Sequence, residues 1–474
     1  MGIATETKET EQVPAASSEF STPDLSRFTE KLVDIDPIRL HGKVTQVVGL
    51  VIEATSPAVS VGDLCYIYPR DGDEPIHAEV VGFRGKNALL MPLGDMRGIG
   101  PQSIVVPSFR SLSIKVDDDL LGRVIDSVGA PIDDKGPLKC RDEYPLFSKP
   151  INPLDRRRIN EPLATGVKAI DACLTCGRGQ RVGIFSGSGI GKSTLLGMIA
   201  RHTEADVNVI GLVGERGREV KDFIEEDLGE RGLARSVVVA VTSDQPALLR
   251  LQGAYVATTV AEYFRDRGMD VLLMMDSVTR LAMAQRQVGL AIGEPPTTRG
   301  YPPSVYALLP QLLERAGTSP SGSITGIYAV LVEADDMNEP ISDAVRSILD
   351  GHIVLSRDLA SRNHYPAIDI LQSVSRVMVD VVSKRHTDVA NQMRKVLATY
   401  REAEDLINIG AYVDGSNPDI DYARQKIAAL NRFLIQNVED HFDFEHNIPE
   451  LERIFCGDVV LPTERAAAQG QQGA

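Results

Sequence analysis

A chain of 474 residues is too long for one ordinary domain, and a formal charge of −16 argues against a surface devoted to nucleic acid, because neutralising phosphates needs clustered Lys and Arg. No run of about 18 or more uncharged apolar residues occurs, which excludes a membrane-spanning helix. Residues 1–30 are polar and acidic without the basic start and apolar stretch of a secretory signal, so the cytoplasm is the expected location, and the five scattered cysteines are expected to be reduced thiols.

In chain order, residues 1–36 form a first segment. Residues 1–22 have few large apolar groups and are expected to be disordered, whereas 24–36 place Leu25, Phe28, Leu32 and Val33 at helical spacing. That short amphipathic helix either packs on its own domain or docks a partner. Over 37–110 the pattern becomes short β-branched runs broken by Gly, Pro and Asp (KVTQVVGLVIEAT, LCYIYPR, AEVVGFRG, NALLMPL), which predicts a small β-barrel. Residues 111–384 alternate apolar strand-like runs (RVGIFS, VNVIGLV, SVVVAV, VLLMMD, ITGIYAVLV) with longer helical patterns, the signature of a parallel sheet covered by helices. Cys173 and Cys176 form a lone C-x-x-C there, without a second pair or a nearby His, and are expected to be packing residues. After Lys384 the strand signals stop, and 385–460 read as a helical domain in which Val389, Met393, Val396, Leu397, Tyr400 and Ile407 share one face. A second helix, after the Gly415-Ser416-Asn417-Pro418 break, carries Ile427, Leu430 and Leu434; residues 461–474 are expected to be a tail.

The central region holds the chemistry. Ser186-Gly187-Ser188-Gly189-Ile190-Gly191-Lys192-Ser193-Thr194 follows a strand and opens a helical run, the context in which backbone N–H groups and a helix N-terminus converge on a phosphate. Lys192 is placed to reach the β- and γ-phosphates of ATP, and Ser193 to offer its hydroxyl to Mg²⁺. The motif's first glycine is Ser186 here, a position that ends the strand and need not take a positive φ. The apolar run Val271-Leu272-Leu273-Met274-Met275 ends in Asp276, the form of a carboxylate that holds the Mg²⁺ shell. Hydrolysis further needs a group that positions water, and Glu215, the first acid after VNVIGLV, is the candidate base; the alternative is a loop salt bridge with Arg216 or Arg218.

With these residues in place, the chain resembles the catalytic subunits of rotary ATPases over nearly all of its length beyond Gly42, through GRVIDSVGAPIDDKGPL, GSGIGKSTLL, VGERGREV, LLMMDSVTR and YPAIDILQSVSR. Within that superfamily, GEPP, RGYPPSV, LPQLLERAG and GAYVDGSNPDID are similar to the type III secretion and flagellar protein-export branch, and the acidic DELSEED-type loop of an ATP synthase β subunit is missing. The resemblance implies an N-terminal β-barrel, a central RecA-like α/β P-loop domain and a C-terminal helical domain. It makes Lys192 and Ser193 phosphate and Mg²⁺ ligands, Glu215 the catalytic carboxylate and Asp276 the second metal-shell acid. Tyr365 would then pack on adenine, and Arg376 would be the arginine finger that a neighbouring subunit points at the γ-phosphate.

The implied function is Mg²⁺-dependent ATP hydrolysis by a homo-hexameric ring, coupled to flagellar protein export at a membrane gate. Its implied partners are a regulator, a stalk-like protein, export chaperones and their substrates, with the enzyme in the cytoplasm and peripheral to the inner membrane. The rivals are a virulence-type secretion ATPase, a non-catalytic nucleotide-binding ring subunit, which would be expected to lack the acid at 215, and an RNA-translocating hexamer, which the acidic charge disfavours.

Overall fold

The structure, a computed structural model, describes residues 40–55, 58–69, 74–109 and 112–456. The helix expected over 24–36, the disorder expected over 1–22 and the tail at 461–474 lie outside the described residues.

Six antiparallel strands close into a barrel in the order Gly42–Val48, Val51–Thr55, Asn87–Pro92, Ile76–Arg84, Leu64–Tyr68 and Ile104–Pro107, the last pairing back to the first. The period of two explains the interior: Ile52 and Ala54, Cys65 and Ile67, Ala78 and Val80, Ala88 and Leu90 alternate with outward residues and are fully buried in one cluster.

The central sheet runs Val374–Ser375, Gly351–Val354, Arg181–Ser186, Ser323–Leu331, Asp270–Asp276, Val207–Glu215, Ser236–Thr242, Arg123–Ile125, with the short strand Gly317–Thr318 pairing off this path. Every pair from Gly351–Val354 to Arg123–Ile125 is parallel, and only Val374–Ser375 and Gly317–Thr318 pair antiparallel. Both faces are covered, which is why these strands read as unbroken apolar runs instead of alternating ones. Val209, Val213, Val237, Val239, Leu273 and Met275 point into one hydrophobic cluster with the helix Ala247–Asp266. Their neighbours Ile210, Leu212, Val238, Ala240, Leu272 and Met274 point into another, with the helix Lys192–His202.

The C-terminal region is helical, with Lys384–Asn408, Pro418–Leu434 and Phe444–Cys456. Arg394 ties the first of these to the central domain by donating to the carbonyls of Ile370 at 2.7 Å and Cys173 at 2.9 Å. Lys168 does the same for the last, reaching Glu450 at 3.0 Å while its ammonium lies 3.7 Å from the centre of the Phe442 ring. Cys173 and Cys176 are core residues: both are buried, the Cys173 sulfur lies 3.3 Å from that of Met393, and burial pushes both thiols up to about 12.

Candidate functional site

Several strands of the parallel sheet end on one side, and their C-terminal tips build the site. The strand Arg181–Ser186 feeds the glycine loop 187–191, which opens the helix Lys192–His202. Ser186, at the position of the motif's first glycine, is an extended strand residue whose carbonyl accepts the Val332 N–H at 2.9 Å. Serine there imposes no backbone strain, because no positive φ is required. Gly187 is different: a Cβ at that position would fall 2.7 Å from Nη2 of Arg357 and 2.8 Å from Oδ1 of Asp335. Gly189 and Gly191 take φ of +76° and +90°, the left-handed region open to glycine, and Gly191 is the N-cap of the helix.

Ile190, 1% exposed, anchors the loop in the core while Ser188, Gly189 and Ser193 stay exposed. Thr194, one residue further along the helix, hydrogen-bonds the Asp227 carboxylate. The first turn is left open for a ligand whose charge matches the positive end of the helix.

Lys192 begins the helix and its ammonium is ion-paired with Oδ1 of Asp276. Asp276 is the last residue of its strand, paired with Leu212, and is only 4% exposed. Next to it, Glu215 closes the strand Val207–Glu215 at a register shift between Val213 and Glu215. Gly214, at φ +74°, makes that bulge possible, and bulges commonly re-aim a side chain beside a site. The Glu215 carboxylate accepts from Nε of Arg280 at 2.9 Å. Burial first, and the neighbouring Asp276 second, raise the Glu215 pKa, opposed by Lys192 and Arg280. Two carboxylates and two cations from four chain segments thus meet beside the glycine loop.

The loop arginines named as the alternative for Glu215 pair elsewhere, Arg216 with Glu219 at 3.1 Å and Arg218 with Asp222 at 3.3 Å. Arg280 is the residue that sequence reasoning missed. The signal was present, since it follows Asp276 by four positions in the fragment LLMMDSVTR at the start of the helix Val278–Ile292.

Tyr365 is 41% exposed and borders the phosphate loop, its ring carbons 3.6 and 3.7 Å from where a Gly191 Cβ would stand. Its carbonyl accepts the Gln436 N–H at 3.0 Å, which fixes the residue against the C-terminal helical region. Arg376 is not in this group. It follows the edge strand Val374–Ser375, in which Ser375 lies opposite Gly351, at the start of a strand whose later residue Val354 is level with Phe185. The sheet's length, about 13 Å over four residues, therefore separates Arg376 from its own phosphate loop. The side chain is exposed, and its backbone N–H donates to the Asp350 carbonyl at 3.0 Å.

Residues 166–375 match the ATP synthase alpha/beta family nucleotide-binding domain, 44–108 its beta-barrel domain, and 382–453 the T3SS EscN ATPase C-terminal domain. The chain is 54% identical to the flagellum-specific ATP synthase of Bacillus subtilis (strain 168), covering 89% of this chain and 98% of that protein. It is 50% identical to the type 3 secretion system ATPase of Xanthomonas euvesicatoria, over 91% of this chain and 98% of that one. Among solved structures, the assembled ATPase EscN from the enteropathogenic E. coli type III secretion system superposes with a TM-score of 0.83 at 46% identity, over 87% of this chain and 99% of that chain. EscN in complex with its central stalk EscO gives 0.81 at 45% identity, with the same coverage.

Proposed function

The chain belongs to the ATP synthase alpha/beta family, in the company of the flagellum-specific and type 3 secretion ATPases, and from that premise we propose that it hydrolyses ATP to drive flagellar protein export through a type III secretion apparatus. The observation that carries the reading is the convergence of Lys192, Asp276, Glu215 and Arg280 beside the glycine loop. A non-catalytic ring subunit has no use for a buried carboxylate held by an arginine next to the phosphate lysine.

Backbone N–H groups of 187–193 donate to the phosphates, Lys192 adds charge and donors toward the β- and γ-phosphates, and Tyr365 offers its exposed ring to adenine. The Ser193 hydroxyl and the buried Asp276 carboxylate are hard oxygen donors beside that cradle, a set that suits Mg²⁺. When bound, the cation neutralises phosphate charge. Glu215 orients the attacking water and accepts its proton as the water oxygen bonds to the γ-phosphorus and the β–γ bridging oxygen leaves. Arg280 holds that carboxylate in place. Arg376 cannot serve its own site across the length of the sheet, so it serves that of a neighbouring copy, which requires a ring, taken here as a homo-hexamer. The further partners are a stalk protein of the kind solved with EscN, a regulator, chaperones with their substrates, and the membrane gate at whose cytoplasmic side the ring works. Among the described residues no helix is long and apolar enough to cross a membrane, so the gate would be a separate component.

Glu215→Gln is expected to keep ATP affinity within about twofold while hydrolysis falls by roughly 10² to 10⁴, since the amide keeps the shape but accepts a proton poorly. Calorimetric ATP binding beside steady-state turnover checks this, and parental turnover in the variant would place the base elsewhere. Because burial and Asp276 raise the Glu215 pKa, parental activity should fade on the acid side at a higher pH than an ordinary glutamate would impose. The proposal as a whole is tested by ATPase activity per chain against protein concentration. Activity should rise steeply as rings assemble, whereas constant activity in a species that sediments as a monomer would refute the ring.

A further inference from the structure

The helix that begins at Lys192 ends at Arg201 and His202, about 15 Å away along its axis. There it borders a cavity of about 500 Å³ whose walls include Arg201, His202, Glu204, Arg235, His441 and Asp443. Arg201 is fixed by donating to the carbonyls of Asp227 and, at 2.9 Å, Val438; Arg235 is fixed by the carbonyl of Ala205. Among the described residues neither guanidinium has a carboxylate at ion-pair distance. The two nearby acids are engaged elsewhere, Glu204 with Arg178 at 3.7 Å and Asp443 with His446 at 3.3 Å. The His202 and His441 rings stack at 5.1 Å and 20°, and Nε2 of His202 and Nε of Arg201 are buried without a partner.

We propose that this pocket is a second, non-catalytic site for a phosphate-type oxyanion. Two half-buried guanidiniums that lack an ion-pair partner, beside buried nitrogens without an acceptor, are costly, and an oxyanion that accepts from several donors at once offsets that cost. Burial, then His441 and Arg201, hold the His202 imidazole below its ordinary value, with Glu439 opposing, and burial does the same to Arg235, with Asp206 opposing. The C-terminal end of the helix carries partial negative charge and opposes an anion, so one guanidinium would not suffice where two do. Glu204 and Asp443, which also line the cavity, favour a compact anion over an extended acidic peptide.

The test uses the full chain carrying Lys192→Ala, so that the catalytic loop does not dominate, titrated with inorganic phosphate by calorimetry. Arg235→Gln or His441→Ala added to that chain should each weaken binding about tenfold. His441 is exposed, so its removal leaves the fold intact. A parallel arm uses vesicles with and without phosphatidic acid. Binding of free phosphate that both substitutions weaken supports a soluble ligand, and binding to phosphatidic acid alone, equally sensitive, supports a lipid headgroup. Absence of both, or binding indifferent to both substitutions, overturns the site.

Discussion

Replacing Arg376 by Ala should leave ATP affinity almost unchanged and slow hydrolysis by ~10³ to 10⁵, the range a guanidinium supplied to a transferring phosphoryl group is worth. The expectation follows from position. Arg376 stands beyond the end of an edge strand, with the sheet between it and its own glycine loop, so it contributes nothing to ATP held there. Its side chain is exposed, and its removal leaves no buried partner unsatisfied among the described residues, which keeps the fold nearly intact. Calorimetric affinity and single-turnover rates, measured on the same preparation, separate binding from chemistry. Parental turnover in Arg376→Ala would remove the finger assignment.

Lys192→Ala should act at the opposite step and weaken ATP binding by roughly 30-fold or more, the scale of truncating one partner of a buried charge pair. Two losses combine. The β- and γ-phosphates lose an ammonium, and Asp276, only 4% exposed and paired with Lys192, is left with uncompensated negative charge facing the incoming phosphates. Lys192→Arg keeps the charge but not the compact shape, so it should restore folding stability more than catalysis. ATP affinity equal to that of the parent protein in Lys192→Ala would place the phosphates somewhere other than this loop.

The parts of this molecule that were legible from sequence are those that local physics dictates. A strand buried on both faces must be apolar throughout, so VNVIGLV and VLLMMD announced a covered parallel sheet. The glycines at 189 and 191 announced a backbone only glycine adopts readily. Spacing along one helix face identified the first C-terminal helix, and the third, Phe444–Cys456, was covered only by the general helical reading. The site's pairings were less accessible. Arg280, which holds Glu215, is 65 residues from it in sequence, and the two meet because the strands ending at Asp276 and Glu215 are neighbours in the sheet. Strand order is a tertiary property, so local reasoning could suggest only the nearby arginines 216 and 218. The same holds for Arg376, whose distance from its own loop is visible only once the register of the edge strand is known.

The claim that active sites are completed across a subunit boundary is tested most directly by mixing. An Arg376→Ala chain and a Lys192→Ala chain are each expected to be nearly inactive, for different reasons: one has an intact loop without a finger to lend, the other an intact finger without a loop to use. In a ring assembled from both, some interfaces join an intact loop to an intact finger. Mixed rings, verified by differential tagging, should therefore recover part of the parental ATPase rate in proportion to the number of such interfaces. Verified mixed rings that stay as inactive as either chain alone would contradict completion of the site by a neighbouring copy.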